Sequence, residues 1–122
     1  MLYTKTNAMK TISLSIFVFL LSFVFFNASG QDVRGALVTD SFKVSGNCQM
    51  CKQRIEKALK VPFVKDVLWN KESHMLYVLY NPSKIKLADL HAKIAAVGHD
   101  TELLKADDKV YSKLPQCCKY RE

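Results

Sequence analysis

Phe42 and Val44 flank Lys43 and are followed by Ser45, an alternation of period two that predicts a short, half-buried strand over Ser41 to Ser45. The period then changes. Cys51, Ile55, Ala58 and Leu59 stand at i, i+4, i+7 and i+8, with Lys52, Glu56, Lys57 and Lys60 on the opposite side. Gln49 to Lys60 therefore reads as a helix with one apolar face, broken by Pro62. Val64 to Asn70 reads as a second strand, with Val67 and Trp69 on one face. The polar turn Asn70-Lys71-Glu72-Ser73 leads into a third strand, Met75 to Tyr80, in which Leu76, Val78 and Tyr80 alternate. Asn81-Pro82-Ser83 ends it. Leu87, Leu90, Ile94 and Val97 form a second helical stripe stopped by Gly98, and Thr101 to Leu104 predicts a last short strand. His91 is expected at the surface or boundary of that second helix.

The order is β-α-β-β-α-β, the split βαβ arrangement of an α+β, ferredoxin-like fold: two helices on one face of a four-stranded antiparallel sheet. If Val67, Trp69, Leu76, Val78 and Tyr80 face the helices, then Leu68, Met75, Tyr77 and Leu79 point the other way. Four apolar side chains on a face that solvent would otherwise wet call for a cover. A partner protein, a second copy in a weak homodimer or the chain's own tail could supply it; the tail, with Val110, Tyr111 and Leu114, is expected ahead of dimerisation.

The chain is 122 residues long, but its first thirty read as a leader. Lys5 and Lys10 precede an apolar run from Ile12 to Phe26, and Ala28-Ser29-Gly30 offers small residues before a cut at Gly30/Gln31, the layout of a secretory signal peptide. The run is shorter than the roughly 20 apolar residues that span a bilayer. Export to a periplasm, or secretion, is the expectation. Removing thirty of the 122 residues leaves 92, enough for one small domain. That divides the chain into a signal peptide at 1–30, a lead-in at 31–40, a domain at 41–106 and a tail at 107–122. Lys5 and Lys10 carry two of the seven net positive charges, so the mature chain is at +5. Its basic residues are scattered among acidic ones, which argues against nucleic-acid binding.

Candidate chemistry lies at the junction of the first strand and helix, Ser45-Gly46-Asn47-Cys48-Gln49-Met50-Cys51. Cys51 falls in the first helical turn and Cys48 just before it, so both sulfurs can turn to one point. The free N–H groups and positive dipole end of the helix favour thiolate there. Thiolates select soft or borderline ions such as Cu(I) and Zn(II). The spacing alone also suits a structural disulfide, a redox-active dithiol or half of a four-cysteine zinc site. All four cysteines (Cys48, Cys51, Cys117, Cys118) survive cleavage, in two tight local pairs. Such pairs staple little, and fit a metal site or a redox switch better than a disulfide framework.

Phe42 to Leu104 resembles a heavy-metal-associated domain, the family of copper chaperones, metal-binding modules of copper-exporting ATPases and a periplasmic mercury-scavenging protein. The likeness runs through the Cys48/Cys51 loop, Val64-Lys65-Asp66-Val67, Tyr80-Asn81-Pro82-Ser83 and Ala95-Ala96-Val97-Gly98-His99. It implies a non-enzymatic protein that binds a soft ion, Cu(I) first and Hg(II) or Zn(II) after it, with Cys48 and Cys51 as ligands. It would pass the ion by thiolate exchange to a metal-transporting membrane protein or another metal-accepting protein. The family usually has a methionine where Gly46 stands, which implies a looser loop here. His99 replaces the usual aromatic or lysine and, lying at the same end of the sheet, is a candidate third ligand or hydrogen-bond donor to a thiolate. His74, near the hairpin, is a weaker candidate, and Met50 is expected to pack or shield.

The alternative is a thiol–disulfide oxidoreductase using Cys48/Cys51 with Cys117/Cys118 as relay. Asn47 stands where such sites usually carry Trp, and Gln49-Met50 where they carry Gly-Pro. The tail adds a separate expectation. A five-residue strand spans roughly 17 Å, whereas residues 107–116 reach about 33 Å when extended. The chain is long enough to cross the outer face of the sheet and bring Cys117 or Cys118 back to the Cys48/Cys51 end; a flexible tail carrying a separate soft-metal hook is the equal alternative.

Overall fold

The structure, a computed structural model, describes residues 35–122; the expected leader, Met1 to Gly30, lies outside the described residues. Strand β1 (Val38–Lys43) leads to helix α1 (Gln49–Ala58), strands β2 (Val64–Trp69) and β3 (Met75–Tyr80), and helix α2 (Leu87–Ala95). A short helix α3 (Asp108–Ser112) and a 3₁₀ turn (Gln116–Cys118) follow. β3 lies between β1 and β2 and pairs antiparallel with both. β1 begins three residues before the expected domain edge, because Val38, Thr39 and Asp40 continue the ladder opposite Tyr80, Leu79 and Val78.

The alternation read from the sequence sorts the two faces of the sheet. Phe42, Val44, Trp69, Leu76, Val78 and Tyr80 are buried with Ile55 and Leu59 of the α1 side and Leu90 and Ile94 of α2. Leu68 and Tyr77 point away and stay about half exposed, at 55% and 46%. α2 starts where the Asp89 carboxylate accepts the Lys86 N–H at 3.1 Å, and ends at Gly98, whose φ of +98° turns the chain.

The fourth strand is reduced to a single bridge between Val44 and Thr101, so the sheet has three strands and an edge contact. Local side chains outcompete the ladder. Thr101 Oγ1 accepts the N–H groups of Leu103 and Leu104, and the Thr101 N–H returns to the Leu104 carbonyl, closing a turn. The Asp100 carboxylate then accepts the Ala106 N–H at 2.7 Å.

The tail does not cover the outer face of the sheet. It packs at the end of α2 and beside α1 instead, and its residues join the main core. Leu114 is 7% exposed and lies against Gly98, where an added Cβ would stand 3.0 Å from Leu114 Cδ2. The Arg121 guanidinium grips Asp100 with two nitrogens, at 3.0 and 2.5 Å, donates to the Ala106 carbonyl at 2.7 Å and reaches Asp108 at 2.7 Å. The Tyr120 hydroxyl donates to the Gly98 carbonyl and accepts the Asp100 N–H, both at 2.7 Å. Asp100 and Gly98 thus hold the end of the chain, and that grip fixes the route: Leu114 meets Gly98 and Tyr111 packs edge-on against Tyr120, while Leu68 and Tyr77 stay exposed.

His91 is buried at 1% exposure, with its ring 3.9 Å from that of Phe42 and Nδ1 2.8 Å from Thr101 Oγ1. It is not a surface residue because it stands four positions after Leu87, on the inner stripe. Leu114→Ala would remove the side chain that docks the tail on Gly98. It should cost about 2–4 kcal/mol, read from the urea midpoint of the reduced protein; an unchanged midpoint would mean the tail is not part of the core.

Candidate metal centre

The end of β1 and the start of α1 place the two loop cysteines. Cys48 is the N-cap of α1, with extended backbone (φ −140°, ψ 174°), and its carbonyl accepts the Lys52 N–H. Cys51 follows in the first turn and is fully buried. Its sulfur accepts the Asn47 N–H at 3.4 Å and lies 3.3 Å from Cys48 Sγ. No acidic side chain occupies the first turn, so the positive end of the helix is left to the sulfurs.

The tail brings the other pair to the same point. Cys117 Sγ and Cys118 Sγ each lie 3.5 Å from Cys48 Sγ, and 3.9 Å from one another. Cys118 is fully buried and Cys117 exposed. Asn47 Nδ2 donates to the Lys119 carbonyl at 2.9 Å, tying the residue before Cys48 to the residue after Cys118. Met50 projects at the rim, half exposed, with Sδ 3.6 Å from Cys117 Sγ. Partial burial alone would raise the Cys48 thiol. Against it, the Cys51 backbone N–H and the thiols of Cys51, Cys117 and Cys118 bring it down to about 7. Burial together with the neighbouring Cys51 and Cys48 sulfurs pushes Cys118 up, and hydrogen bonding to Cys48 together with partial desolvation pushes Cys117 up. The arrangement favours thiolate at Cys48 and the protonated form at Cys117 and Cys118, whose protons a metal ion can replace.

Trp69 supports the loop from below. Its indole N–H donates to the Val44 carbonyl at 3.1 Å, its backbone N–H to Glu56 at 2.9 Å, and its carbonyl accepts the Lys52 ammonium at 2.8 Å. Glu56 and Lys52 are themselves ion-paired. A Cβ at Gly46 would stand 3.0 Å from Cys51 Cβ and from Cη2 and Cζ2 of Trp69. The space beneath the loop is therefore filled, by the indole, and the loop is packed and not loose.

His99 lies beneath the loop, outside the sulfur cluster. It is fully buried, its Nδ1–H donates to the Ser45 carbonyl at 2.8 Å, and its ring stacks on Tyr120 with centroids 5.5 Å apart. Among the described residues, the cluster of three donor atoms within 4.8 Å of one another is formed by the sulfurs of Cys48, Cys117 and Cys118. His99 thus positions the loop through its backbone. His74 is exposed and stacks on Trp69 at 6.0 Å. The supporting roles of Asn47, Trp69 and Tyr120 carry no motif in the sequence; only the Gly46 departure points to a side chain arriving from elsewhere.

Residues 41–100 match the family model of the heavy-metal-associated domain. Among solved structures, the chain is similar to the CopZ metallochaperone, with 27% identity and a TM-score of 0.51, covering 52% of this chain and 98% of that one. It is similar to oxidized MerP from Ralstonia metallidurans CH34, with 26% identity, a TM-score of 0.52 and coverage of 55% and 96%. It also resembles the N-terminal domain of a potential copper-translocating P-type ATPase from Bacillus subtilis in its Cu(I)-loaded state, with 27% identity, a TM-score of 0.53 and coverage of 62% and 96%. A search of curated proteins returns no significant match.

Two outcomes test this construction. Gly46→Met should cost about 1–3 kcal/mol by overpacking, and combining it with Trp69→Ala should cost less than the two changes summed; strict additivity in urea denaturation would separate the two positions. Burial, with the Arg54 charge adding to it, holds His99 below its usual pKa, although the Ser45 carbonyl and Asp100 oppose the shift. The unfolded chain therefore takes up the proton first as the pH drops below about 6.5. Stability should be complete above that pH and fall by up to about 1.4 kcal/mol per unit below it. A similarly buried His91, also depressed, adds to the slope. His99→Gln should flatten the dependence between pH 7.5 and 5.5; an unchanged slope would remove His99 as its source.

Proposed function

We propose that this chain, whose residues 41–100 make up a heavy-metal-associated domain, is an exported soft-metal-binding protein that carries Cu(I) in the periplasm and passes it to an acceptor by thiolate exchange. Hg(II) and Zn(II) are the lesser candidates. The observation that carries this reading is the pair Cys48 and Cys51, with sulfurs 3.3 Å apart at the N-terminus of α1 and the Cys48 thiol near neutrality. Cu(I) on such a pair is held by soft sulfur and sits where negative charge is stabilised. Exchange begins when an acceptor thiolate adds to the ion, passes through a three-coordinate intermediate and ends when one protein sulfur leaves. The ion is never released to water, and no bond of a substrate is made or broken.

The acceptor is a metal-transporting membrane protein or another metal-accepting protein, and the likeness to an ATPase N-terminal domain supports a partner of the same fold. Exposed Leu68 and Tyr77 leave room for a weak homodimer alongside the monomer. Chelator competition under anaerobic conditions tests the reading. The parent should withdraw one Cu(I) from a chromophoric chelator, and Cys48→Ser/Cys51→Ser should lose at least a hundredfold in affinity. Equal affinity in parent and variant would overturn it.

A further inference from the structure

Resting on that reading, we infer that the ion is held by more than the loop pair: Cys117 and Cys118 are ligands too, and the tail is a built-in arm that turns a two-sulfur loop into a three- or four-thiolate site. The first argument is the spacing of the sulfurs. With metal–sulfur bonds of about 2.3 Å, two thiolates across a linear ion stand about 4.6 Å apart, three around a trigonal ion about 4.0 Å, and four around a tetrahedral ion about 3.8 Å. The separations here are 3.3, 3.5, 3.5 and 3.9 Å, with Cys48 at the common vertex. Trigonal spacing around Cys48, Cys117 and Cys118 needs only about half an ångström of expansion, whereas a four-sulfur shell also needs Cys51 to close in, because it lies outside the group whose atoms are within 4.8 Å of one another. A linear pair at Cys48 and Cys51 needs more than one ångström, and would leave two further thiols crowded against the same ion.

The second argument is anchorage. The sulfurs of the tail are held in place on both sides. Leu114 seats against Gly98 before them, and after them come the Asn47–Lys119 hydrogen bond, the Tyr120 hydroxyl on Gly98 and the Arg121–Asp100 pair. The Cys118 N–H closes a turn on the Pro115 carbonyl at 2.8 Å, which directs both thiols toward Cys48. The third argument is the gradient of exposure: Cys51 and Cys118 are sealed inside, whereas Cys117 and Met50 stand at the rim. An ion arriving from solvent meets the soft rim atoms first and then passes to Cys48. A filled shell has no open position for an acceptor thiolate until a tail sulfur leaves, so the arm favours retention, and a four-thiolate shell also accommodates Zn(II).

X-ray absorption on the reduced parent loaded with one equivalent of Cu(I) tests this. Three or more sulfurs at about 2.3 Å are expected, falling to two in Cys117→Ser/Cys118→Ser, with transfer to a chelator at least tenfold faster in the variant. Two sulfurs in the parent, or a count unchanged in the variant, would overturn the inference. Should the variant fail to fold, alkylation of the parent decides: exposed Cys117 should react readily without metal and become protected by one equivalent of Cu(I). Continued reaction at Cys117 would overturn it. Tight Cu(I) binding with only two sulfurs would sink this inference and leave the proposed function standing, whereas loss of binding altogether would sink both.

Discussion

The burial of one indole organises the cysteine loop. Trp69 ends β2, yet its side chain lies beneath residues from β1 and α1, and its three hydrogen bonds run to Val44, Glu56 and Lys52. Removing a tryptophan side chain of about 200 Å² from water contributes on the order of 5 kcal/mol before entropy is counted. That gain is available only if Gly46 has no side chain, because a Cβ there would meet both the indole and Cys51 Cβ at 3.0 Å. The backbone of the loop, the entry of the helix and the placement of both sulfurs follow from seating it.

Much of this architecture could be read from hydrophobic periodicity. The shift from period two at Phe42 and Val44 to helical spacing at Cys51, Ile55 and Leu59 locates the junction that carries the cysteines, and the alternation through Leu76, Val78 and Tyr80 sorts the faces of the sheet correctly. What failed depends on competition between side chains and backbone. Thr101 and Asp100 satisfy neighbouring N–H groups with their own oxygens, so four residues that look like a strand form a turn. His91, expected at the surface or boundary, is buried because it follows Leu87 by one helical turn and finds a hydrogen-bond partner in Thr101. The tail was legible as reach and not as path. Chain length permits a return to the metal end by several routes, and the choice is made by the pairing of Arg121 with Asp100, two residues twenty-one apart with nothing in their local sequence to link them.

That pairing also explains why the tail behaves as part of the domain. Burial would raise the Asp100 carboxyl, but the two-pronged contact with Arg121 and the N–H of Ala106 hold it below the ordinary range. Both side chains are mostly shielded, at 22% and 19% exposure, so the attraction is screened less than at an open surface. The family match ends at residue 100, and the twenty-two residues beyond it are those that add the second sulfur pair. A common scaffold has thus been extended by a segment anchored mainly on Gly98 and Asp100 after α2 and tied to the cysteine loop by Asn47.

The Asn47–Lys119 hydrogen bond and the Arg121 grip hold Cys117 and Cys118 beside Cys48 as tethered groups, not solutes that must find it. In the language of tethered ligands, such a group acts at an effective concentration in the millimolar range or above. A passing molecule with a single thiol, present at lower concentration, competes poorly against that local excess. A partner offering two sulfurs on one rigid loop is tethered to itself in the same way, and meets the tail on equal terms. The anchored tail therefore works as a filter on valency, closing the site to monothiols and leaving it open to chelating dithiols.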